Sequence, residues 1–155
     1  MVLMKRLLFI LTALMVITAT GCKKDPKPID CKATLPGEWH CMPEGIDAEV
    51  YAAFEENGSF DLYQKVGEGR YRHYTGSWTC EGNTLSGIYS DGIAWGSSYT
   101  VAFTDKDNMT LTTLNGSDET MVYTRESVPS EVREECIDVK SSFGMLNSQP
   151  QYRWL

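Results

Sequence analysis

The sequence predicts an all-β domain over residues 36–126, an eight-stranded antiparallel up-and-down barrel followed by one short helix. Three observations predict it. Tyr, Thr, Val, Phe and Trp recur through segments that alternate apolar and polar residues, the pattern of strands with one buried and one wet face. Turn residues punctuate those segments about every eleven residues, the spacing of a barrel or sandwich. The turns are short, so consecutive strands lie side by side, and closing the meander removes exposed edges. A two-sheet sandwich is the alternative, but it ordinarily needs longer Greek-key crossovers.

Eight segments carry strand chemistry: 37–42, 49–56, 59–66, 70–80, 84–90, 97–104, 108–114 and 119–126. In the third, Phe60 and Leu62 face one way while Asp61, Tyr63 and Lys65 face the other. In the sixth, Tyr99, Val101 and Phe103 alternate with Thr100, Ala102 and Thr104; in the seventh, Met109 and Leu111 alternate with Thr110 and Thr112. The same parity gives an inward set of Trp39, Phe54, Phe60, Leu62, Trp78, Leu85, Tyr99, Val101, Phe103, Met109, Leu111, Met121 and Tyr123. An eight-stranded barrel is just wide enough to be filled by such side chains or to hold one small ligand, and both outcomes stay open here.

Asn57-Gly58, Gly82-Asn83, Lys106-Asp107 and Asn115-Gly116 supply tight turns, in which Asn and Gly tolerate positive φ. Counting strand direction places the turns at 56–58, 81–83 and 105–107 at one end. The longer connections 43–48, 67–69 and 91–96 then sit at the opposite end, which becomes the expected mouth. Trp95, between Gly92 and Gly96, is either an exposed contact residue or a lid over that mouth. Tyr89, Tyr51 and Tyr99 are expected to extend an aromatic ligand-binding rim around it.

Pro129 in a first turn, acids after it, and Val132, Cys136 and Val139 at i, i+4, i+7 predict a helix over about 129–140. Residues 127–155 are read as this helix plus a tail, with Phe143, Leu146, Tyr152 and Trp154 as apolar residues that pattern alone does not place.

Residues 1–21 read as a removable leader: Lys5 and Arg6 precede an apolar run from Leu7 to Ile17, which is too short to span a bilayer. The run ends in Ala19-Thr20-Gly21-Cys22, which resembles the lipobox of bacterial lipoproteins, although Ala19 stands where many lipoboxes have Leu. The resemblance implies that Cys22 is the first mature residue and carries lipid. Acyl chains gain ~0.8 kcal/mol per buried CH₂, so several together make a firm membrane anchor. Residues 22–35, charged and Pro-rich, then form a tether. The expected location is the cell envelope, with the outer membrane as the anchoring surface.

Four cysteines remain: Cys31, Cys41, Cys80 and Cys136. Strand direction maps all four to the end opposite the mouth. Two disulfides are expected in an oxidising compartment, and of the three connectivities Cys41–Cys80 with Cys31–Cys136 is favoured, because Cys41 and Cys80 share parity with Trp39 and Trp78. A four-thiolate metal site is not expected, since no C-x₂-C pair exists.

Pro36-Gly37-Glu38-Trp39 opens the first strand and Arg125 ends the last. Gly-x-Trp in that place resembles the lipocalin signature, and the resemblance spans roughly residues 37–140. It implies that Trp39 closes the barrel floor, that Arg125 packs across it, and that Gly37, Trp39 and Arg125 are structural. The middle lipocalin motif is not clear, so the chain is lipocalin-like.

Charge and motifs narrow the function. The formal charge is −7, and losing Lys5 and Arg6 with the leader brings it to −9. Nucleic acid and anionic polymers are therefore poor partners. The only histidines, His40 and His73, point outward by parity and are read as solvated; no nucleophile, zinc-protease or phosphate-loop motif is present, so neither catalysis nor a cofactor or metal is expected. The resemblance implies a non-catalytic binding protein for a small apolar or amphipathic ligand. The alternative is a protein-interaction module, such as a lysozyme-type inhibitor or a surface adhesion factor, for which the acidic surface favours a basic partner.

Overall fold

The computed structural model describes residues 29–139 and 153–155. The leader 1–21, Cys22, Phe143, Leu146 and Tyr152 lie outside the described residues. In chain order the elements are α1 (Cys31–Thr34), β1 (Gly37–Cys41), β2 (Ala48–Phe54), β3 (Ser59–Val66), β4 (Arg72–Glu81), β5 (Thr84–Tyr89), β6 (Tyr99–Phe103), β7 (Asn108–Thr113), β8 (Thr120–Arg125), α2 (Ser130–Glu135) and β9 (Ile137–Asp138). Each of the first eight strands ends within two residues of its expected bounds.

Strands β1 to β8 pair antiparallel around a ring, which closes where β1 meets β8 and β3 meets β4. The fold is thus a closed eight-stranded antiparallel barrel. Alternation drives the closure. β7 alternates strictly between partly and fully buried positions, with Met109, Leu111 and Thr113 facing in. Of the expected inward set, Phe103 and Met121 pack at the margin of the core and the rest are buried within it. Burying each large apolar side chain contributes about 1.5–3 kcal/mol.

The floor is built from both chain directions. The short α1 turn starts at Asp30, whose carboxylate accepts from the Lys32 backbone N–H at 3.0 Å. It carries the fully buried Leu35, whose carbonyl accepts from the Trp39 indole N–H at 2.8 Å. Arg125 lies over Trp39 and donates to the carbonyls of Thr34 (2.9 Å), Pro36 (3.0 Å) and Lys106 (3.1 Å).

Three expectations are corrected here. The disulfide pairs Cys31 with Cys80, while Cys41 and Cys136 are free thiols. The favoured pairing fails because Cys31 is buried in the barrel core, where Cys80 packs too, whereas Cys136 packs outside the wall against the cluster of Tyr51, Tyr63, Val128 and Val132. α1, which the tether reading of 22–35 missed, brings Cys31 to the end of β4. Closing this 49-residue loop stabilises the fold by about 4 kcal/mol in the chain-entropy account.

The predicted helix over 129–140 stops at Glu135. Its continuation pairs instead as β9, parallel to the start of β4, with Arg72 opposite Ile137 and His73 opposite Asp138. β5 covers β4 only from Gly76 to Glu81, so the earlier backbone groups of β4 need another partner. Ile137 and Val139 donate to the carbonyls of Tyr71 and His73 at 2.8 and 2.9 Å.

Candidate binding site at the barrel mouth

β5 and β6 pair only at Thr84–Thr100 and Leu85–Tyr99. The connection between them doubles back along β5. Ala94 bridges Ile88, Trp95 N–H donates to Gly87 O at 3.0 Å, and Tyr89 N–H donates to Ile93 O at 2.8 Å. This return carries Trp95 into the barrel, where it is 6% exposed and packs 5.2 Å from Phe60 and 6.2 Å from Tyr99. Gly87 makes the space, since a Cβ there would lie 2.3 Å from the Trp95 ring. Trp95 is therefore neither an exposed contact nor a lid. The flanking glycines concealed this, because a Gly-rich loop reads as surface.

Tyr89 and Tyr99 are also buried within the core. Tyr51 is not at the rim. It lies opposite His40 on the outer wall, under Val128 and Val132, because the inward partner of Trp39 is Ala52. Its phenol is pushed up to about 12 by burial and by the neighbouring Glu49 carboxylate.

The mouth holds an element that the sequence did not place. Arg153, Trp154 and Leu155 descend into it, Trp154 and Leu155 joining the core. Trp154 N–H donates to Gln64 Oε1 at 3.0 Å, and the Tyr99 hydroxyl donates to Trp154 O at 3.4 Å. Leu155 O accepts from the Tyr89 hydroxyl at 2.8 Å and from Gly96 N–H at 3.3 Å. Arg153 pairs with Asp91 at 2.7 Å and covers Tyr89, its guanidinium carbon 4.4 Å from the ring centroid. The barrel thus holds these three residues through two backbone carbonyls, one backbone N–H and one charge. Apolar residues in the 141–155 tail were the one sequence signal for this, and they carried no address.

Above this layer lies a cavity of about 470 Å³. The β1–β2 connection contributes Pro43, Glu44 and Ile46, the β7–β8 connection Asn115 and Glu119, and Tyr99 and Trp154 also line it. Its position agrees with the mouth end expected from strand direction. Trp95 and Tyr89 are absent from its lining.

His40 and His73 do face outward, yet neither is simply solvated. His40 sits between Glu49 (3.3 Å) and Glu126 (3.1 Å), and His73 between Asp61 (2.6 Å) and Asp138 (2.8 Å). Neither lines the mouth cavity.

No protein-family model matches the chain, and no curated protein matches it. The class that the geometry defines is a closed eight-stranded antiparallel barrel, which is compatible with a lipocalin-like fold.

Proposed function

We propose that this protein is a non-catalytic, lipid-anchored binding protein of the bacterial cell envelope, lipocalin-like in fold, whose ligand lies across the barrel mouth. The observation that carries this reading is the 470 Å³ cavity sitting above a filled interior. A volume of this size suits a small molecule. Its lining mixes Tyr99, Trp154 and Met121 with Glu44, Glu119 and Arg153, which fits an amphipathic ligand rather than a purely apolar one. Lipid on Cys22 and the tether that follows, which enters at the floor, would anchor the barrel by that end and leave the mouth facing away from the membrane, most simply the outer membrane.

A second reading is favoured by a different observation. Met42, Ile46, Ile93 and Leu114 are exposed on the mouth connections, beside the acidic Glu44 and Glu119. Exposed apolar side chains ringed by charge suit a protein partner, here a basic one such as a lysozyme-type enzyme or an adhesion target.

Native mass spectrometry of the purified protein, incubated with an extracted lipid and metabolite pool, separates the two. A reproducible small-molecule adduct that Met121→Trp removes supports the first reading. Adducts with proteins alone overturn it in favour of the second.

A further inference from the structure

On the outer wall three metal-ligating side chains converge, two from one short segment and one from more than sixty residues earlier. His73 on β4, Cys136 after α2 and Asp138 on β9 bring an imidazole nitrogen, Sγ and a carboxylate oxygen within 4.8 Å of one another. The parallel pairing of β4 with β9 sets His73 directly beside Asp138 and places their side chains together. The His73 ring is fixed on both faces of the problem: it stacks on Tyr63 at 4.5 Å with an interplanar angle of 6°, and its Nε2 engages Asp61 at 2.6 Å.

That last contact gives the cluster a direction. A carboxylate on the far nitrogen of a histidine holds the ring so that the near nitrogen faces a metal, and it raises the ligand's basicity. Here Asp61 is the orienting carboxylate, and Nδ1 faces Asp138. Among the described residues Cys136 has no disulfide partner, since Cys41 lies inside the barrel and Cys31 and Cys80 are joined.

We propose that His73, Cys136 and Asp138 form a surface site for a divalent transition metal, Zn²⁺ in the first instance, with Asp61 as the positioning residue and a fourth position open to water. An imidazole–thiolate–carboxylate set suits zinc better than magnesium or calcium, which prefer oxygen ligands. Tetrahedral zinc spaces its ligand atoms roughly 3.5 Å apart. Binding therefore parts Nδ1 from Asp138 Oδ1, now 2.8 Å apart, and swings Cys136 Sγ off the Arg133 carbonyl, now at 3.2 Å. Uptake displaces one proton from Nδ1 and one from Sγ into solvent, so the dication enters with no change in net charge. The site is independent of the mouth reading. It departs from the sequence-based expectation of no metal, which did not weigh this mixed set of ligands.

Cobalt titration of the full-length protein, with the Cys31–Cys80 disulfide intact and Cys136 reduced, tests it. One equivalent of Co²⁺ should produce a thiolate-to-metal charge-transfer band, lost in Cys136→Ser and in His73→Ala. In zinc calorimetry, Asp61→Asn should weaken binding about 10- to 100-fold while the 1:1 stoichiometry remains. As a readout that needs no variant to fold, Zn²⁺ should protect Cys136 of the unmodified chain from alkylation. Absence of a charge-transfer band, its persistence in Cys136→Ser, or alkylation of Cys136 unaffected by Zn²⁺ overturns the proposal.

Discussion

The Arg125 guanidinium lies 4.2 Å above the ring centroid of Trp39, and Gly37 is what lets it reach there. Gly37 has φ +130°, and a Cβ at that position would sit 2.0 Å from Arg125 Nη1. The Gly-x-Trp pattern is therefore a steric requirement: the glycine makes room for the cation that covers the tryptophan. Gly37→Ala should cost about 2–3 kcal/mol, through strain and displacement of Arg125. Trp39→Ala should cost about 3–5 kcal/mol and leave mouth binding nearly unchanged. Urea unfolding checks both, and a Gly37→Ala midpoint equal to the parent's would refute the steric account.

The two free thiols should react in different states of the chain. Burial pushes the Cys41 thiol up to about 12, whereas Cys136 is half-buried on the outer wall. In metal-free native protein, iodoacetamide should modify Cys136 and spare Cys41 until the barrel unfolds. Peptide mapping of the labelled protein reads this directly. Equal labelling of both in the native state would mean that Cys41 is not sealed inside.

Acid should loosen the outer wall through Glu49. Burial opposes its ionisation, but Tyr71 and Tyr51 donate to it and Lys65 pairs with it at 3.0 Å, holding its carboxyl below the usual 4.5. A folded-state pKa below the unfolded one stabilises the protein above the unfolded value. That contribution is lost as pH falls through the lower folded value. Glu49→Gln should therefore flatten the decline in stability below pH 4.5, as measured by urea midpoints across pH 3–7. An acid limb as steep as the parent's would assign the effect to other carboxylates.

Asp91 and Arg153 form the charged tie of the mouth, with side chains 8% and 12% exposed. Asp91→Ala strands the guanidinium beside Tyr74 and Tyr89 and should cost about 3 kcal/mol. Removing both charges in Asp91→Ala with Arg153→Ala should recover part of that loss. A thermal-denaturation cycle measures the coupling, and additive losses would show that the pair is not energetically linked.

Much of the barrel was legible because alternation is a local signal. Each strand announces which face is wet, and Asn-Gly turns force neighbours together. The roles of Gly37, Trp39 and Arg125 were legible through the resemblance of Gly-x-Trp at the opening of the first strand, with a basic residue closing the last, to the lipocalin signature. What eluded the sequence depends on gaps that only the closed ring creates. Trp95 turns inward because β5 and β6 diverge and leave a space beside Gly87. β9 replaces the end of a helix because β4 outruns β5. Tyr51 was assigned to the mouth by residue type, although its pairing with His40 sets it on the outer wall. Leu155 and Trp154 find their places through the hydroxyls of Tyr89 and Tyr99, contacts across more than fifty residues that no periodicity encodes.

The Cys31–Cys80 link has a mechanical consequence. A pull on the chain ahead of Ile29 reaches the barrel at Cys31, before it reaches β1. The covalent bond passes that tension to β4, the longest strand, which is gripped along its length by β3, β5 and β9. The first strand is thus spared from being peeled off the ring, and the load is spread in shear across the wall.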